Sequence, residues 1–85
     1  MDLPVTRAQF DAVQSAKHLP DVLKAVLERA TANGAGYVLQ LTYEEATALN
    51  ELCSWNVHTD PQGNVTPESQ LFDDLVRAIL THPDF

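Results

Sequence analysis

The chain has 85 residues, 45% of them hydrophobic, with one cysteine and a net charge of −7 at neutral pH. That is enough apolar chain for one core and too little for two, so residues 1–85 are expected to form a single compact domain without disulfide or metal staples. A lone cysteine, an opening MDLPVTRAQF with no cationic start or apolar run, and no stretch near the roughly 20 apolar residues that span a bilayer argue against secreted and membrane-spanning classes and point to a reducing cytoplasm.

The charge is unevenly placed. Residues 1–36 carry four acids and four bases, whereas residues 37–85 carry eight acids against Arg77 alone. Phosphate backbones are bound by clustered Lys and Arg, so direct nucleic-acid binding is not expected and a basic protein partner is favoured. The plainer reading is that the acids keep a small domain in solution.

Thr6 followed by Gln9 has the spacing of a capping box, which starts a helix over about 7–17 with Phe10, Val13 and Ala16 on one face. Pro20 and Asp21 suit the first turn of a second helix, whose Val22, Leu23, Val26, Leu27 and Ala30 make a broad apolar face while Lys24, Glu28 and Arg29 project outward. Asn33-Gly34 then reads as the left-handed close of that helix.

In GYVLQLT, Tyr37, Leu39 and Leu41 alternate with Val38 and Gln40, as in a strand with one buried face. Thr42 and Glu45 form a second capping box, opening a third helix with Ala46, Leu49, Leu52 and Cys53 inward and Glu44, Glu45, Asn50 and Glu51 facing water or a partner. Poor helix formers from Ser54 to His58 weaken it, and Asp60-Pro61-Gln62-Gly63 has the preferences of a type I turn. Thr66-Pro67 restarts the chain as a fourth helix, with Leu71, Phe72, Leu75, Val76, Ile79 and Leu80 opposed by Asp73, Asp74 and Arg77, until Pro83. Asn64-Val65-Thr66 matches a glycosylation sequon, but turn and cap chemistry explains it better.

The expected fold is mainly α: a small single-domain bundle of about four short helices with one or two short β segments, at 37–41 and, as an open alternative, 57–59 paired with 64–66. If that hairpin does not form, the 37–41 strand must satisfy its backbone with water or with another chain.

Chemistry is hard to assemble. Cys53 with His58 as base would need an electropositive, exposed setting, yet Cys53 lies on a predicted buried stripe in the acidic half. A metal site from Cys53, His58 and Asp60, closed by His18 or His82, matches no paired-ligand spacing. Neighbouring acids such as Glu44/Glu45 or Asp73/Asp74 do not face each other on a helix, and no glycine-rich phosphate loop or nucleophile elbow is present. No enzymatic activity, metal or cofactor is therefore expected.

What remains is surface, and the chain reads as a non-catalytic protein-protein interaction module that associates with a basic or strand-donating partner or with itself. The candidate contact residues are Tyr37 and Leu39 on the strand, Glu44, Glu51, Asp73 and Asp74 on the acidic face, and Trp55 and His58 beside the turn. Trp55 could equally complete the core. Two alternatives stand: an inhibitor that imitates nucleic acid and occupies a basic groove on its target, and a small enzyme or metal site using Cys53 and His58.

Overall fold

Residues Asp2–Thr6, unassigned by the sequence reading, form strand β1 in the computed structural model, which describes residues 1–85. The other elements are α1 (Arg7–Gln14), α2 (Asp21–Glu28), β2 (Thr31–Asn33), β3 (Gly36–Gln40), α3 (Tyr43–Trp55) and α4 (Pro67–Leu80). The strands make one antiparallel sheet in the order β1-β3-β2. The mainly α bundle is thus corrected: this is a small mixed α/β fold with four helices and a three-stranded antiparallel sheet.

In β1, Met1 and Leu41 bond through their main chains, so the main-chain groups of odd-numbered residues face β3 and Pro4 turns its missing N–H to the outer edge, where proline is tolerated. Asn33-Gly34 does not close a helix: α2 stops at Glu28, β2 follows, and Gly34, with φ of 61°, opens the two-residue Gly34-Ala35 hairpin to β3. A glycine with positive φ at the first turn position is the preference of a type II′ hairpin. Gly36 is needed for a different reason, since an added Cβ would collide with the carbonyl oxygen of Val5 on β1.

One face of the sheet is covered and the other is open. Leu3 and Val5 stand opposite Leu39 and Tyr37, and Leu3, Val5, Leu39 and, just past the strand, Leu41 are buried. On the far face Asp2, Pro4, Thr31 and Gln40 are exposed. Helix α3 packs between α2 and α4, and α1 lies against α4 and the sheet. Phe72, Leu75 and Ile79 of α4 meet Ala46, Leu49, Leu52 and Cys53 of α3 and Leu23, Val26 and Leu27 of α2 in one apolar cluster. The inward stripes of α3 and α4 follow the helical period, but Val22 and Leu80, expected inside, are 45% and 58% exposed.

The 37–41 strand is not a free edge. It is the central strand, and beyond the end of β2 the carbonyl of Gln40 accepts from Arg29. The outer edge of β1 is also blunted: Thr6 N–H donates to Gln9 Oε1, Pro4 has no donor, and the Asp2 carbonyl meets His82 Nε2 at 2.9 Å. Asp84 N–H donates to His82 Nδ1 at 3.0 Å, which leaves Nε2 as the donor to Asp2. Strand addition at Tyr37–Leu41 would require displacing a neighbour.

The alternative hairpin at 57–59 and 64–66 reduces to a single bridge between Thr59 and Val65. Its turn forms as read, with Gly63 N–H donating to the Asp60 carbonyl, and Asp60 Oδ1 accepting from Gln62 and Asn64 main-chain N–H groups. No helix is long and apolar enough to cross a membrane.

Candidate functional site

Helix α3 presents two faces. Ala46, Leu49 and Cys53 point into the core, so Glu44, Ala48, Glu51 and Trp55, spaced by four, three and four residues, form the opposite stripe. Trp55 ends the helix and is 81% exposed, more than any other large hydrophobic residue. Asn56 closes α3, its side-chain Nδ2 donating to the Leu52 carbonyl at 2.8 Å. Buried Ser69 on α4 then fixes the following segment, accepting from His58 N–H at 2.8 Å and donating to the Asn56 carbonyl at 3.3 Å.

Facing this end of α3 is the connector between α1 and α2. Helix α1 stops at Gln14, short of the expected Lys17, and the chain turns through Lys17 and His18 before Pro20 caps α2. His18 has φ of 61°, left-handed backbone that side-chain-bearing residues adopt uncommonly, with histidine among the more tolerant.

Between connector and helix lies an open groove of about 770 Å³. Lys17, His18 and Pro20 form one wall, and Ala48, Glu51, Leu52 and Trp55 the other, with Asn56 and His58 at the end. The groove has more than twice the volume of the concavities beside Tyr37 and beside Leu27, about 320 and 270 Å³, and unlike them it sets an exposed aromatic ring beside both charge signs.

Of the sequence candidates, Glu51, Trp55 and His58 come together here, and Glu44 continues the same face of α3 two turns earlier. The others lie elsewhere. Leu39 is 1% exposed in the core, and Tyr37 stacks on Phe10 with ring centroids 4.1 Å apart. Asp73 pairs with Arg77 at 3.0 Å and Asp74 accepts from Gln70 at 2.8 Å, both along α4 and outside the groove. Glu45, expected to face water, is buried: its Oε1 accepts from Thr42 N–H and from Arg29 at 2.7 Å.

Cys53 is fully buried on the opposite side of α3, and burial pushes its thiol up to about 12, so the reactive thiolate is suppressed at neutral pH. Asp60 is committed to its turn, and no three His, Cys, Asp or Glu side chains gather in a way that could hold a metal ion. The Cys53, His58 and Asp60 constellation is not assembled.

Compared with known proteins, the chain matches no protein family, no curated protein and no solved structure.

The sequence reading missed the connector wall. Helical spacing places Glu44, Ala48, Glu51 and Trp55 on one face of α3, but nothing in the spacing of Lys17, His18 and Pro20 brings them opposite that face.

Proposed function

We propose that this protein is a non-catalytic interaction module that receives a segment of a partner protein in the groove between the α1–α2 connector and α3, with Trp55 as the anchor. The observation that carries this reading is the exposure of Trp55 beside a concave surface. A tryptophan ring presents roughly 150–250 Å² of surface, and at about 25 cal/mol per Å² its burial by a partner would contribute about 4–6 kcal/mol before the costs of association. Buried aromatic anchors of this kind dominate interface energetics.

The alternatives gain less. Asp11, Asp21, Glu45 and Asp73 are paired with cations inside the chain and Asp60 caps a turn, so seven of the twelve acids remain, a sparse imitation of a phosphate array. A chemical step through Cys53 would need a thiol that burial keeps protonated. A single buried cysteine suits the reducing cytoplasm in which we place the protein.

The test is a photo-crosslink. With Glu51→p-benzoylphenylalanine on the groove wall and Thr31→p-benzoylphenylalanine on the open sheet face, irradiation in native cells should give a discrete protein adduct from position 51 only. Equal adducts from both positions, or none from position 51, would overturn the reading.

A further inference from the structure

The charges in the molecule are arranged so that one Lys or Arg side chain is left over. Arg7, Lys24, Arg29 and Arg77 each lie within 4.0 Å of a carboxylate, on Asp11, Asp21, Glu45 and Asp73. Lys17 is the fifth Lys or Arg of the chain and has no such partner. It stands on the connector wall next to His18, in the groove that Trp55 and His58 also line. The connector contributes no acid to the lining, whereas α3 contributes Glu51.

We propose that the groove selects an acidic, apolar-centred peptide segment, whose carboxylate lies against Lys17 and His18 and whose apolar side chain covers Trp55. This rests on the groove being the docking site proposed above and specifies its ligand chemistry. Lys17 supplies three N–H donors on a flexible stem, and an imidazole N–H can donate to the same carboxylate. Glu51 on the facing wall repels a second carboxylate there, which confines the acid to the connector side and sets the direction in which the segment lies. The chain's net charge of −7 opposes long-range approach of an acid, so the attraction is local. Salt of about 0.15 M, with a Debye length of about 8 Å, screens distant acids while sparing a direct contact.

The experiment titrates three blocked tetrapeptides into isotopically labelled protein at that salt concentration: Glu-Leu-Phe-Gln, its neutral Gln-Leu-Phe-Gln counterpart and the cationic Lys-Leu-Phe-Gln. Backbone and indole resonances provide the readout. The acidic peptide is expected to shift Lys17 and the Trp55 indole and to bind about three- to fivefold more tightly than the neutral one. Lys17→Gln should erase that difference while leaving the spectrum of the free protein otherwise intact. Equal binding by the neutral peptide would overturn the charge assignment and keep the groove as a docking site. Tighter binding by the cationic peptide would overturn it in favour of a basic partner recognised through Glu51 and Glu44. No groove shifts with any peptide would count against the docking site itself.

Discussion

Arg29 Nη2 donates to Glu45 Oε1 at 2.7 Å and to the Gln40 carbonyl at 3.0 Å, so one guanidinium joins the end of α2, the last residue of β3 and the first turn of α3. The Thr42 main-chain N–H, and then Arg29, hold the Glu45 carboxyl below its ordinary 4.5, against the opposing effect of burial. Because the folded value is the lower one, the carboxylate contributes stability above about pH 4.5, and the contribution is lost as pH falls through the folded value. Arg29→Ala is expected to cost about 1–2 kcal/mol at neutral pH, discounted because the guanidinium is half exposed. Urea midpoints of the two proteins should differ at neutral pH and converge on acidification.

Gly36 is fixed by the approach of β1 rather than by its own dihedral angles. Its Cβ position is occupied by the Val5 carbonyl, which is backbone and cannot rotate away. Gly36→Ala is expected to force β1 and β3 apart and to lower stability by about 1–3 kcal/mol, read as a fall in the urea midpoint.

Cys53 should behave as a core residue. With its thiol pushed up to about 12, it is expected to resist a thiol reagent at mildly alkaline pH until urea unfolds the chain, and then to react at once. The folded value here is raised, so the folded state keeps a proton that the unfolded chain loses near pH 9. Stability should therefore fall as pH climbs from about 9 towards 12, by at most about 1.4 kcal/mol per unit.

Local chemistry made much of this fold legible and tertiary chemistry hid the rest. The capping boxes at Thr6/Gln9 and Thr42/Glu45 and the Thr66-Pro67 start are present as read, because each is complete within four residues. Strand β1 was hidden because Pro4 is acceptable only once the edge it occupies is known. Glu45 was misplaced as a surface acid because Arg29, which makes its burial tolerable, lies 16 residues away. The groove divides in the same way: the Glu44, Ala48, Glu51 and Trp55 stripe follows from helical spacing, whereas the facing wall depends on where Pro20 redirects the connector.

Trp55 should be dispensable for folding. Its ring is 81% exposed, so Trp55→Ala is expected to change stability by no more than about 0.5 kcal/mol, and the native indole should be quenched by iodide nearly as well as in the unfolded chain.

That independence from folding makes Trp55 the point at which the binding function can be tested directly. The decisive measurement is the yield of the photo-crosslinked adduct from position 51, compared between the Trp55 background and Trp55→Ala at matched, folded concentrations. An anchor role for Trp55 requires the adduct to fall severalfold or vanish in Trp55→Ala while the urea midpoint stays put. An undiminished adduct in Trp55→Ala would contradict it.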